Sequence, residues 1–350
     1  MTAMLDEPLI TSRLTRPRLS WAALAGVAAG SVAVTALLFL LTSLSGYVGF
    51  ILIAVVLYVV ALTVVSTMVE GWRHAKDRLM TNVLLGTVLF ALLALIGVLG
   101  YTIYRGLSRF DGVFFGHSMR SVAEADAGGG AYHAIIGTLE QVGIATAIAA
   151  PLGILVAIYL VEYSTGRLGR MVSFLVDVMT GLPSIVAGLF VLALWIVLLG
   201  QGYSGFAGSL ALVVLMLPTV IRSTEEMLKL VPSSLREASY ALGVAKWVTV
   251  VRVVLPTATA GIVTGVMLAV ARVMGETAPV LLTVFGAQAI NFDPFSGPQA
   301  SLPLFVFSEA GQPNSTAIDR AWAGALALIL VVVALNLIAR TVARYARVRA

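Results

Sequence analysis

Eight apolar runs, each close to the roughly 20 residues that cross a hydrocarbon core, set what this chain can fold into. They are Trp21–Leu41, Tyr47–Val69, Leu79–Tyr104, Gln141–Val161, Val178–Gly200, Gly202–Ile221, Val253 through Ala271 and on toward Phe285, and Ala321–Ala339. Backbone amides in lipid must be satisfied within their own segment. The runs are too long for barrel strands and lack alternation, so all eight are predicted to be helices. Only 11% of the residues are charged and mean hydropathy is +1.00. Soluble domains carry about 25% charged residues, so there is too little polar surface here to cover one. That excludes a soluble enzyme, a DNA-binding module and a disordered chain. With no cysteine, disulfides and thiolate chemistry are excluded, and three histidines (His74, His117, His133) argue against a His-rich metal centre. Arg13, Arg16 and Arg18 precede the first run, as in a signal peptide. That run is long for an h-region and a second span follows at once, so it is read as a retained helix.

The net charge of +5 and the pI of about 9.6 report orientation rather than nucleic-acid binding. With the N-terminus inside, seventeen of the 22 Lys and Arg residues fall in inside segments, four (Arg105, Arg109, Arg120, Arg320) fall outside, and Arg272 lies within a span. Both termini are therefore expected on the cytoplasmic face of the membrane. The division expected is a 1–20 tail, a 21–69 hairpin, a 79–340 core containing a cytoplasmic loop at 222–256, and a basic 341–350 tail.

A thirty-residue inside segment in a multi-pass protein calls for a reason. Its pattern predicts one short helix over Thr224–Leu230, stopped before Pro232. A second is predicted from Ser234, with Glu237 three residues on as a capping box. Leu235, Ala238, Ala241, Leu242 and Ala245 recur at helical spacing, and Gly243 permits a change of direction. A short amphipathic helix held at the inner face suits docking into a partner's groove. The outside segments 105–137 and 287–319 are either docking surfaces for a solute-binding protein or plain loops. Asp177 is read as a gate residue, as a partner of Arg170 or Arg222, or as an interfacial charge. Glu140 is expected at the outer interface, and Asn336 in a hydrogen bond between helices.

The spacing Glu237-Ala238-Ser239, Gly243, Val253, Leu255-Pro256 resembles the EAA loop of ABC importer permeases, with Ser239 for Ala and Val253 for Ile as departures. Arg272-Val-Met-Gly-Glu276-Thr-Ala-Pro279, Thr180-Gly-Leu-Pro-Ser-Ile-Val-Ala-Gly188, Arg222-Ser-Thr-Glu-Glu226 and Gly137-Thr-Leu resemble the PstA family of phosphate permeases, over residues 79 to 340. The resemblance implies an all-α polytopic protein in which six spans form a type I importer core and the first hairpin is an addition. It implies that Glu237, Ala238, Gly243, Leu255 and Pro256 belong to the segment that couples to an ATPase. It also implies a second permease like PstC, an ATPase like PstB, and a phosphate-binding protein like PstS. This chain has no P-loop signature and is expected to bind no cofactor, ATP being used by the partner subunit.

A charge within a span must face protein or water, because lipid exposure costs about 2.5–3.5 kcal/mol. Arg272 and Glu276 are four residues apart, one helical turn, and are expected to share a face. They are either a self-neutralising pair or a phosphate path in which the guanidinium fork meets the anion while Glu276 keeps Arg272 aimed. Gly275 and Pro279 are expected to open the helix there. Arg222 joins Asp177 as a candidate gate. Competing readings are a permease for molybdate or sulfate, an intramembrane enzyme limited to Glu276, Arg272 and Asp177, and an ion-coupled transporter without an ATPase.

Overall fold

A computed structural model describes residues 19–123 and 125–348, with side chains through Thr341. Arg13, Arg16, Arg18 and Arg349, and the side chains of Arg344 and Arg347, lie outside this description. The helices are α1 (Trp21–Leu41), α2 (Tyr47–Val69), α3 (Trp72–Gly106), α4 (Gly112–Gly116), α5 (Tyr132–Ile158), α6 (Arg167–Thr180), α7 (Ser184–Val191), α8 (Gly205–Lys229), α9 (Ser233–Ala241), α10 (Lys246–Thr249), α11 (Leu255–Met274), α12 (Ala278–Val284), α13 (Leu302–Ala310) and α14 (Ser315–Val348). Wide π-helical turns extend α5 over Tyr159–Tyr163, extend α7 over Leu192–Leu198, and join α10 to α11 over Val250–Val254. Among the described residues the only β pairing is an isolated bridge between Phe285 and Gln299. Among the described residues seven helices are long and apolar enough to cross a membrane, or eight if α6 and α7 form one broken span. The expected all-α polytopic fold is therefore what the chain adopts.

The chain divides into two compact units, one ending at Leu99 and the other beginning at Gly100, so α3 passes from one to the other. In the first unit, α1 packs on α2 and Ser31, Thr35, Leu62 and Ser66 are buried. Its organising residue is Glu70, at the C-cap of α2. The carboxylate accepts from Arg78 Nε (2.7 Å) and Nη2 (2.8 Å), from Ser66 Oγ (2.7 Å) and from the Leu19 amide (2.7 Å). The guanidinium of Arg78, helped by the other donors against the burial that opposes it, pulls the Glu70 carboxyl down to about 2.

The second unit is built on α5 and α8. Their seam contains Val142, Ala145, Ala149, Leu212, Leu215 and Met216, and α11 and α12 add Ala269, Val273, Val280 and Val284. Small residues bring the helices together, since lipid supplies no hydrophobic drive between them. A Cβ on Gly153 would fall 2.7 Å from Val220, and one on Gly208 would fall 2.6 Å from Val284. Hydroxyls in the helices bond back to carbonyls one turn earlier, as Thr138 does to Ala134 (2.8 Å) and Ser209 to Gly205 (2.9 Å).

Several boundaries differ from the sequence reading. The fourth span starts at Tyr132 rather than Gln141. The fifth breaks at Gly181–Pro183, where the axes of its two pieces differ by 107°. Pro183 pushes Leu182 out of helical conformation and lacks an amide of its own, which ends α6 there. The sixth runs on to Lys229 and absorbs the short helix expected over Thr224–Leu230. Asn336 donates to Val332 of its own helix (3.0 Å) rather than across helices.

Candidate functional site

Helices α8 and α11 lie antiparallel. Gly261 sits against Met227 and Gly265 against Ser223, and beyond them Val284 of α12 meets Gly208. This register sets Arg272 level with Met216, near the middle of α8. Here α11 stops, because Gly275 caps it and Thr277 begins the approach to α12. The expected opening at Gly275 is thus a full break at half depth. Pro279, in the first turn of α12, is wedged against α7, where a Cβ on Gly188 would come 2.7 Å from the Pro279 Cα. Two of the motifs named above therefore meet at Gly188 and Pro279. A third, Gly137-Thr138-Leu139, docks the end of the 287–301 segment: Gly137 faces the Ala300 carbonyl, and Thr138 Oγ1 accepts from the Leu302 amide (2.7 Å).

The one-turn pairing of Arg272 with Glu276 does not form. Glu276 lies beyond the end of α11, so the helical i, i+4 geometry is lost. Among the described residues neither side chain has an ion pair. Arg272 stands on an exposed stripe of α11 with Thr257, Thr264 and Leu268, and Glu276 is half-buried beside it.

Arg222 is spent differently. It bonds Asp177 and Ser173 of α6, the latter at Oγ and at the carbonyl (both 3.0 Å), and Glu225 of its own helix (2.6 Å). Of the partners considered for Asp177, the structure selects Arg222, and the pair ties α6 to α8. It lies about six residues from the Arg272 level, roughly 9 Å along the helix toward α9.

The segment 230–245 forms a single helix, α9. Its N-cap is Pro232, with no side-chain cap, so the predicted Ser234–Glu237 capping box is not made. Gly243 turns the chain with φ +74°, a left-handed conformation that suits glycine. Glu237 and Ala238 are exposed, as are Leu235, Leu242 and Trp247. Leu255 and Pro256 are not loop residues. They begin α11 after the π turn, so the seventh span starts near Lys246.

Sequence reasoning missed the buried partners. Arg236, preceding Glu237, donates to Glu162 (2.8 and 3.1 Å) and to the Val231 and Leu228 carbonyls (2.6 and 2.9 Å). Ser239, which stands where the EAA pattern has Ala, is buried and hydrogen-bonded to Thr249 (2.8 Å). At the opposite end of α5, Gln141 Nε2 donates to Gln299 Oε1 (2.9 Å), and Gln299 Nε2 to Glu140 (2.5 Å). Arg320 is fully buried on Glu309 (2.7 Å). The signal was a charge at the edge of an apolar run, but such edges pair across separations that spacing does not reveal.

A multi-pass helical bundle with a charge-bearing break level with the middle of α8 and an exposed amphipathic helix at one end has the form of a transport permease. The family described as "Binding-protein-dependent transport system inner membrane component" matches residues 149–349. The phosphate transport system permease protein PstA 1 of Mycobacterium tuberculosis (strain CDC 1551 / Oshkosh) is 50% identical over 268 residues, 76% of this chain and 88% of its own. PstA of Mycobacterium leprae (strain TN) is 49% identical with the same coverage, and PstA of Yersinia pestis is 40% identical over 274 residues, 78% of this chain and 92% of its own. Among solved structures, the inward-facing MetNI methionine ABC transporter is similar (TM-score 0.48, 21% identity, 62% of this chain and 94% of that one). So is a bacterial ABC transporter involved in alginate import (0.48, 15%, 79% and 99%). The chain belongs to the PstA family of binding-protein-dependent permeases and is a multi-pass membrane permease of an ABC importer.

Proposed function

We propose that this chain is one of two membrane subunits of an ATP-driven phosphate importer. The observation that carries the reading is Arg272, an exposed guanidinium level with the middle of α8, which has no ion pair among the described residues. Left on lipid it would cost about 2.5–3.5 kcal/mol, so its face belongs against a second permease or a water-lined path. Its relatives are phosphate permeases, and a guanidinium is the side chain that meets a phosphate oxygen pair with two parallel hydrogen bonds at any physiological pH. Glu276, at the break but not bonded to Arg272, keeps local charge near zero so that the anion passes rather than stays. Asp177–Arg222, closer to α9, then gates the path between α6 and α8.

The charge asymmetry of the sequence supports α9 and both termini at the cytoplasmic face. The uncovered apolar residues of α9, flanking Glu237, dock on the ATPase. The segments 107–131 and 285–301, at the opposite end, face the phosphate-binding protein.

The test is labelled phosphate uptake at low micromolar phosphate in cells lacking the gene, restored with wild type, Arg272→Ala or Glu276→Gln, with sulfate and molybdate as competitors. Wild type is expected to restore uptake that neither competitor lowers. Both variants are expected to lose it while still copurifying with the ATPase. Competition by molybdate or sulfate would reassign the substrate to another oxyanion, and full uptake by Arg272→Ala would remove the proposed path.

A further inference from the structure

Helix α9 is fastened at two points, and each fastening sits at a π-helical turn. Arg236 reaches Glu162, 74 positions earlier, inside the π turn Tyr159–Tyr163 that ends α5. Ser239 is bonded to Thr249, the residue immediately before the π turn Val250–Val254 that leads into α11. The first link is part-buried and the second is buried. The side chain of Glu162 is 5% exposed and that of Arg236 is 17% exposed, and Ser239 and Thr249 are buried. The rest of α9 is largely bare: apart from Ser239 and half-buried Arg236, its residues are exposed.

A π turn holds one extra residue per turn with poorer packing and hydrogen bonding. Such turns are rare and cluster at functional positions, where the helix axis can change direction at small expense. From this arrangement we infer that Arg236–Glu162 and Ser239–Thr249 are the two drive links of the permease. A displacement of α9 is delivered through them to the hinged ends of α5 and α11. Beyond its hinge α11 is an unbroken helix of 20 residues, about 30 Å, that carries Arg272 in its last turn. Movement at Thr249 therefore arrives at the guanidinium, and movement at Glu162 arrives in the α5–α8 seam. The four residues are positioning residues; none meets substrate.

The Ser239 departure from the EAA pattern acquires a role in this scheme. An alanine there has no hydroxyl for Thr249, so this chain holds its second link by a hydrogen bond that the pattern itself does not supply. Glu162 holds the first. Arg236 donates to it twice and spends its remaining bonds on the carbonyls of Leu228 and Val231, which seat the guanidinium at the end of α8. Truncating Glu162 leaves Arg236 seated on α8 but detached from α5.

The inference rests on α9 being the ATPase-docking helix, and the experiment separates the two. The complete importer is purified and reconstituted, and ATP hydrolysed per labelled phosphate imported is measured for wild type, Glu162→Ala, Glu162→Gln and Ser239→Ala. Glu162→Ala is expected to retain the ATPase subunit and raise the ratio about tenfold, the loss of a buried charge pair. Glu162→Gln, which keeps an acceptor for Arg236 and the side-chain volume, is expected to raise it about threefold. Ser239→Ala is expected to raise it about twofold, the scale of one neutral hydrogen bond. Hydrolysis and import that fall in proportion, or a ratio equal to wild type in all three variants, would overturn the drive links. Failure of the wild-type chain to hold the ATPase, or its retention after replacement of Leu235 of α9, Leu242 at its C-cap and Trp247 of α10, would instead overturn the docking reading.

Discussion

Two arginines of the permease unit are handled in opposite ways. Arg320 is fully buried. Its Nε meets Glu309 and its Nη1 meets the carbonyls of Asp126 (2.7 Å) and Gly128 (3.3 Å), so one guanidinium pins the 107–131 segment to α13 and α14. Arg272, in the last turn of α11 and level with the middle of α8, is exposed and has no ion pair among the described residues. Burial with a full set of acceptors marks a charge whose function is to hold the chain together. Exposure at membrane depth without them marks a charge whose partners come from outside the chain. Composition cannot make this distinction: Arg272 lies inside an apolar run and Arg320 at the edge of one, the reverse of what their burial would suggest.

The contrast predicts opposite phenotypes. Arg320→Ala strands the Glu309 carboxylate in a buried site and is expected to cost about 3–5 kcal/mol, with loss of folded protein from the membrane and a lower unfolding temperature in detergent. Arg272→Ala is expected to leave the unfolding temperature within error of wild type while abolishing uptake, since an exposed side chain with few contacts contributes less than about 0.5 kcal/mol. If Arg272→Ala unfolds the protein and Arg320→Ala transports normally, the assignment of the two roles is reversed.

The next largest effect is expected where the broken span is wedged. Gly188→Ala places a methyl group 2.7 Å from the Pro279 Cα, which is backbone and has no rotamer with which to yield. Helices α7 and α12 must separate, at about 1–3 kcal/mol. Because Pro279 sets the start of α12, the break that carries Arg272 and Glu276 shifts with it. Uptake is expected to fall further than the change in unfolding temperature accounts for. A variant that loses stability but keeps its uptake per folded molecule would show that the wedge has no say in the path.

Much of the architecture was legible because lipid allows few solutions. Long uncharged runs must be helices, and the EAA spacing located α9 and its glycine turn correctly. The boundaries were less legible for physical reasons. Hydropathy ends where charge begins, yet α8 carries Arg222, Glu225 and Lys229 on its own helix by pairing them one turn apart, so the span outlasts its apolar stretch. A capping box at Ser234 was outcompeted by Pro232, whose fixed geometry starts α9 without a side-chain cap. The pairing of Arg272 with Glu276 failed because a helical offset holds only while the helix continues, and Gly275 ends it. The long-range links were invisible: nothing in local spacing joins Glu162 to Arg236 or Gln141 to Gln299.

Glu70, in the first unit, gives the smallest effect and the sharpest control on the comparison. It is an acid treated as Arg320 is, buried and surrounded by donors, but in the first unit. Arg78 and its companions hold its folded pKa near 2, below the 4.5 of an ordinary glutamate. A depressed carboxylate contributes stability that is complete above about pH 4.5 and is lost as the pH falls toward about 2. Glu70→Gln removes the charge at every pH. The gap in unfolding temperature between wild type and Glu70→Gln is therefore expected to be constant from pH 7 to pH 5 and to narrow steadily below pH 4.5, with phosphate uptake at pH 7 unchanged per folded molecule. A gap that holds steady down to pH 3 would mean that the carboxylate is not the anchor of the hairpin, and a variant that folds but fails to transport would draw the first unit into the path.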